Sequence, residues 1–306
     1  MLSVIIPAYN AETTISAQLD ALAEQTYTGP WEIIVADNGS SDRTLEIAKQ
    51  YQQQLPQLQI IDASARKGAA YARNAASAKA KGDVLLFCDA DDEVTSGWLA
   101  AMDTGLKEHD FVCGWRETDK LNTGNSFSSA LASVEGQGLL YHPFKPFASA
   151  SNLGVRKVHH EAVGGFDEQF LNLQDIDYCW RLQELGITLH QVEEAVVNFR
   201  FRGDLASNFR RLRRFGYYSA CLYRKHWANG FPKKMLLRCF LSLFSVPAKF
   251  VARVRDRNSL FLWLLNLGWS LGYWHGWIDI AKDAVVGQLN GGRTDSSLPV
   301  SQASQQ

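Results

Sequence analysis

With 306 residues, 46% of them hydrophobic, the chain can bury a sizeable core as one large domain or a domain with an appendage, and its composition argues against wholesale disorder. The net charge of −1 hides an asymmetry: residues 1–199 hold 14 Lys+Arg against 27 Asp+Glu, whereas residues 200–257 hold 15 against 2. An acidic front and a basic rear predict different partners for the two parts. Five widely spread cysteines, an odd number with no C-x-x-C, read as buried free thiols in a reducing compartment rather than a disulfide framework.

The opening MLSVIIPAYN lacks a basic n-region and turns polar early, so it reads as a first strand and not as a secretory signal. A helical pattern follows from about 12 to 26, where Ile15, Leu19 and Leu22 share a face. WEIIVAD (31–37) is a second strand, SSDRTLEIAKQY (40–51) a helix opened by cap-type residues, and LQIIDA (58–63) a third strand. GAAYARNAASAKA (68–80) is an Ala-rich helix and DVLLFCD (83–89) a fourth strand. Such alternation predicts a parallel sheet covered on both faces, whose ligands bind at the carboxyl ends of the strands. Asn10, Asp37 and Asp89 fall at those ends.

Further on, SGWLAAMDTGLKEH reads as a helix and DFVCGW as a strand. The stretch ETDKLNTGNSFSSALASVEGQG reads as a flexible polar excursion over the site. DIDYCWRLQELG (175–186) is a helix with Asp175 and Asp177 in its first turn, and AVVNFRF (195–201) is the last strand. Beyond it the pattern is helical, basic and then Trp-rich, ending in a tail, 291–306, that reads as disordered. These boundaries predict an α/β domain over 1–204 and a helical appendage over 205–290.

LLFCDADDEV crowds three carboxylates, Asp89, Asp91 and Asp92, at a strand end, where each raises its neighbours' proton affinity. A metal ion, a proton to move or plain solvation would account for that crowding. SVIIPAYNAETTI, EIIVADNGSSDRT, KGAAYARNAA, GDVLLFCDADD, SNLGVRK, GGFDE and QDIDYCWRLQELG occur here in an order that resembles the family 2 inverting glycosyltransferases of the GT-A fold, over roughly residues 2–220.

The resemblance implies a GT-A α/β domain that moves a sugar from a nucleotide-diphosphate donor to an acceptor hydroxyl with inversion. Breaking the anomeric bond concentrates negative charge on the diphosphate, which a hard cation such as Mg²⁺ or Mn²⁺ neutralises. Asp89-Ala90-Asp91 is then the D-x-D element, with Asp91 on the metal, Asp89 on the ribose with or without the metal, and Asp92 orienting its neighbours. Asp175 maps to the general base, and Asp177 suits a cap at the helix start. Gln174 stands where the family has Glu. Tyr9 is expected to stack on the base beside the Pro7 and Ala8 backbone, and Asp37 to accept from base or ribose. Asn38 replaces a frequent second Asp. Lys67 and Arg73 meet the diphosphate or position the loop, and for Arg73 an ion pair to a strand-end carboxylate is the rival role. Many relatives place a metal-completing His on the last strand; here that strand offers Asn198 and Phe199. His142, His159, His160 and His226 show no metal-ligand spacing.

RRLRRFGYYSACLYRKHW (210–227) can neutralise a diphosphate or sit on anionic lipid head groups, and no motif supports nucleic-acid binding. For residues 235–280, in-plane or peripheral membrane contact ranks first, a buried helical hairpin or dimer contact second, and a true span third. A glycan or lipid-linked acceptor at the cytoplasmic face of a membrane fits this layout, and a homo-oligomer stays open. Two alternatives stand beside it: transfer to a polyprenyl phosphate, and a non-catalytic nucleotide-binding or scaffold protein that retains the fold.

Overall fold

The computed structural model of the chain describes residues 1–124, 127–201 and 203–289. The tail read as disordered therefore lies outside the described residues. Two compact units divide the chain, one spanning Met1–Phe201 and the other beginning at Arg202.

The first unit opens as β1 (Leu2–Ala8), α1 (Ile15–Ala23), β2 (Trp31–Asp37), α2 (Thr44–Tyr51), β3 (Leu58–Asp62), α3 (Ala69–Lys79) and β4 (Val84–Cys88). All four strands run parallel, β1 lying between β2 and β4, and β3 beyond β2. Next come β5 (Glu93–Val94), α4 (Trp98–Glu108), β6 (Phe111–Glu117), α5 (Ser128–Glu135), β7 (Asn152–Arg156), α6 (Lys157–Ala162), α7 (Gln174–Glu184) and β8 (His190–Asn198). The sheet order among the described residues is β3-β2-β1-β4-β7-β6-β8-β5.

Continuous apolar strands serve a sheet buried on both sides, and alternate residues fill two cores. Val4, Ile6, Leu86 and Cys88 pack on the face that also buries Leu19 of α1 and Trp98 and Met102 of α4. Ile5, Ile34, Leu85 and Phe87 pack on the other, with Ala72 and Ala76 of α3 and Tyr178 and Leu182 of α7. Cys88, Cys113, Cys179 and Cys221 are buried and free, as their apolar settings predict.

Three features differ from the sequence reading. SNLGVRK supplies β7, an antiparallel strand in the middle of the sheet, paired with β4 and β6. The last strand starts earlier, at His190, because it pairs in parallel with β6 from Val112 onward across a register shift at Gly114/Trp115. A side chain at Gly114 would strike the Ala195 carbonyl and the Asn152 amide, so this crossing requires glycine. The polar excursion is partly ordered: a 3-10 turn spans Lys120–Asn122, and α5 buries Ala130 and Leu131.

The second unit comprises α8 (Leu205–Lys225), α9 (Lys233–Arg253) and α10 (Arg257–Leu289). Asp204 caps α8, its carboxylate accepting from the Ser207 amide at 2.7 Å. Gly268, Gly272 and Gly276 are spaced by four along α10; an added Cβ would collide with Arg213 of α8 at Gly272 and with Tyr217 at Gly276, and would crowd Phe209 at Gly268. The same holds for Gly216 of α8 against the Trp269 carbonyl. These glycines thus let two helix backbones approach. Among the described residues no helix is long and apolar enough to cross a membrane.

Candidate active site

The acidic turn leaves the carboxyl end of β4 and is held from two sides. Gln18 of α1, fully buried, donates from Nε2 to the Asp89 carbonyl (3.1 Å) and accepts the Val94 amide on Oε1 (3.0 Å). From the end of β8, the Arg200 amide donates to Asp92 Oδ1 (2.9 Å) and its Nε to the Asp91 carbonyl (3.0 Å). Asn198, at the position expected of a histidine, instead donates to the Glu93 carbonyl (3.2 Å) and secures β5. The last strand therefore clamps the turn through Asn198 and Arg200.

Asp89, Asp91 and Asp92 each offer an oxygen within 4.8 Å of the others; among the described residues no further His, Cys, Asp or Glu converges on a point in this way. Asp91 is exposed and Asp89 half-buried, while Asp92 is 1% exposed and its Oδ2 has no hydrogen-bond partner. Burial pushes the Asp92 pKa well above the usual carboxylate value, and the Asp91 and Asp89 charges add to the rise. The Arg200 amide and the Arg116 guanidinium oppose it.

Arg116, on β6 and 5% exposed, lies over the Phe199 ring at 4.6 Å and within electrostatic reach of Asp92, Asp175 and Asp89. Arg73, on α3 and equally buried, donates from Nη2 to Asp89 Oδ1 at 2.5 Å, while its Nε and Nη1 find no hydrogen-bond partner. Of the two roles open to Arg73, the ion pair is the one seen. Its charge also acts on Asp175.

Asp175 sits in the first turn of α7, half-buried. The preceding Leu173 takes φ 61°, a left-handed conformation that costs a leucine about 1–2 kcal/mol. Asp175 accepts from the Ile176 amide (3.0 Å) and the Ala150 amide (3.4 Å). Burial raises its pKa, partly offset by Arg73 and by these two amides. Asp177 is not the expected cap: it is fully buried and paired with Arg181 Nε at 2.6 Å. Arg181 in turn binds the Val163 and Gly165 carbonyls.

Across the sheet, Tyr9 follows β1 and is 57% exposed, with Pro7 and Ala8 at the strand end behind it. Asn10, at φ 49°, accepts the Ser41 amide (2.8 Å) and zips this loop to the one after β2. Asp37 accepts the Ser40 amide on both oxygens (3.3 Å). Asn38 does what an Asp could not: its amide donates to the Ala63 and Arg66 carbonyls while Oδ1 accepts the Gly68 amide. Lys67 is exposed on the loop thus held. The structure brings Asp89, Asp91, Asp175 and Arg73 together and sets Pro7, Ala8, Tyr9, Asp37 and Lys67 along the same carboxyl edge. Two of the histidines are engaged in other contacts: His160 bonds the Tyr178 hydroxyl, its pKa pushed down to about 4 by burial, and His159 pairs with Asp110.

Gln18, Arg116 and Arg200 escaped the sequence reading. The first two carried a signal, a polar residue on the apolar face of α1 and a lone Arg within the strand FVCGWRE.

Residues 3–166 match the model of glycosyl transferase family 2. AglE, a glycosyltransferase of Haloferax volcanii, is 31% identical over 193 residues, covering 61% of this chain and 62% of that protein. The chain spans about three fifths of the length of the curated relatives it matches first. In fold it is similar to the Pyrobaculum calidifontis mannosyltransferase PcManGT, solved with GDP-Man and Mn²⁺: TM-score 0.59, 19% identity, 97% of this chain and 83% of that one. Residues 1–349 of Staphylococcus aureus TarS, solved with UDP-GlcNAc, give a TM-score of 0.55 at 17% identity, over 96% of this chain and 93% of that one. The expected GT-A fold is the one found. With more than half of its residues under the family model, the chain belongs to glycosyl transferase family 2.

Proposed function

We propose that this chain transfers a sugar from a nucleotide-diphosphate donor to an acceptor hydroxyl, inverting the anomeric centre. The observation that carries the reading is the gathering of the acidic turn and Asp175 at one sheet edge, within reach of the same two buried guanidinium groups.

The donor's base stacks on Tyr9, beside the Pro7 and Ala8 backbone, and Asp37 accepts from base or ribose. Asp89, oriented by Arg73, accepts from the ribose, and Lys67 reaches the diphosphate from its exposed loop. The acidic turn fits a hard divalent cation: its donors are all oxygen, they converge within 4.8 Å, and one buried oxygen is unpartnered. Asp91 and Asp89 would hold Mg²⁺ or Mn²⁺, with Asp92 orienting them. Such an ion, when bound, stabilises the charge building on the departing diphosphate.

Asp175 takes the proton of the attacking hydroxyl. Its raised pKa makes it a stronger base than a solvated carboxylate, while the Ala150 and Ile176 amides fix its orientation. A single displacement with this base on the face opposite the leaving group inverts the centre. The acceptor is a glycan or lipid-linked one at the cytoplasmic face of a membrane. A poly(ribitol-phosphate) N-acetylglucosaminyltransferase, TarS, among the relatives supports a product in the cell envelope.

A calorimetric screen of nucleoside diphosphates and their sugars with Mn²⁺, on wild type and Asp91→Ala, tests the donor and metal sites. One nucleotide should be selected, and its metal-dependent affinity should vanish in the variant. Absence of nucleotide binding sinks the transferase reading. A preference untouched by Asp91→Ala sinks the metal assignment.

A further inference from the structure

Helix α9 has two unlike faces. On one, Val246 is buried and its carbonyl accepts from Trp263 Nε1 at 2.9 Å, and Phe250 meets the Trp263 ring edge-on at 4.9 Å, so this side packs on α10. The other side carries Leu237, Leu241, Phe244 and Val251, which are 60, 50, 67 and 75% exposed, with exposed Ala248 among them. Phe244 is this exposed even though its edge meets the Trp274 ring. The positions advance by four, three, four and three, which keeps five apolar residues in one line along the helix. Exposed apolar residues are ordinary when scattered; a continuous row marks a contact surface.

Charge selects what covers it. No Asp or Glu occurs from 205 to 255, while exposed Lys234 borders the row at its start and exposed Arg253 and Arg255 lie at its end. A second copy of the chain would set this basic border against an identical one wherever the two rows face each other. A surface of lipid phosphates presents the opposite charge, with acyl chains beneath it.

We propose that the outer face of α9 lies in the plane of an anionic bilayer, with the row from Leu237 to Val251 among the upper acyl segments and Lys234, Arg253 and Arg255 on lipid phosphates. This deepens the reading of a membrane-side acceptor given above and does not depend on which sugar is moved.

Co-sedimentation with vesicles of phosphatidylcholine alone, and of phosphatidylcholine with one quarter phosphatidylglycerol, tests it without donor or acceptor. The full chain should bind the anionic vesicles at least tenfold more tightly, and less so as salt rises. Leu241→Glu with Phe244→Glu should lose at least tenfold, while its melting temperature and nucleotide affinity stay at the wild-type values. Lys234→Gln with Arg253→Gln and Arg255→Gln should weaken binding to anionic vesicles alone. No binding by wild type, or unchanged binding by the double variant, overturns the proposal. So does a dimer in light scattering that the double variant dissociates while vesicles are ignored. Nucleotide calorimetry on the same samples separates these outcomes from failure of the transferase reading.

Discussion

The acidic edge of the sheet and the outer face of α9 depart from ordinary folding rules in opposite directions. At the edge, Asp92, Arg73 and Arg116 are withdrawn from water although charge favours solvation. On α9, leucine, phenylalanine and valine are held in water although burial favours them. On the readings proposed above, a cation and a nucleotide at the edge and a lipid surface at the helix would offset these costs. Charge held inside and apolar surface held outside are thus the two features on which the two proposed binding events rest.

The strongest way to break this contrast is Asp175→Asn. Turnover should fall by about 10³-fold, within the 10²–10⁴ typical of a lost general base, with donor affinity unchanged in calorimetry. Transfer to a polyprenyl phosphate, already an anion, would instead retain most activity. In wild type kcat/KM should fall as pH drops through a pKa raised above the ordinary aspartate value, because the base must be unprotonated. Stability has the opposite sign. A carboxyl whose folded pKa is raised binds more protons folded than unfolded, so its contribution declines as pH rises from its ordinary value through the raised one. Asp175→Asn should therefore melt no lower than wild type at pH 7, and any gain should shrink below the ordinary carboxylate pKa.

Next in size is Gly272→Leu, which drives a side chain into the Arg213 carbonyl. It should cost roughly 3 kcal/mol or more in urea unfolding, the upper end of overpacking penalties. Asn38→Asp removes both donors to the 63–66 loop and should cost about 1–3 kcal/mol, with a loss of donor affinity visible in the same calorimetry. Smallest is Tyr9→Ala: nucleotide binding should weaken by about 1 kcal/mol, in the range of an aromatic stacking contact. Its melting temperature should stay put, because Tyr9 is largely exposed.

How legible these features were depends on whether their cause is local. β1 to β4 announce themselves because a doubly covered sheet needs unbroken apolar runs, and DADD is legible because nothing in a core explains three adjacent carboxylates. β7 was missed as a strand because SNLGVRK is short and contains a glycine, and only its neighbours β4 and β6 define it. Asp177 looked like a cap because position in a helix is readable and an Arg partner one turn later can be exposed or buried. Arg200 gave no sign, since its contacts, the Asp92 carboxylate and the Asp91 carbonyl, lie more than a hundred residues away in sequence. The α10 glycines were visible but their partner helix was not.

The placement of β7 carries one more consequence. Because β6 and β7 are antiparallel neighbours, the chain leaves the sheet after Glu117 and re-enters at Asn152 one strand away, on the ligand edge. The intervening stretch behaves as an oversized hairpin loop whose ends are pinned regardless of what lies between. Doubling the length of such a loop costs only about 0.6 kcal/mol in closure entropy. The stretch between β6 and β7 can thus be rebuilt while the first four strands, with Asp37 and Asp89 at their carboxyl ends, keep their register. The first four strands form a fixed half beside a replaceable loop, and on the proposed function that division would let the acceptor change while the donor site stays as it is.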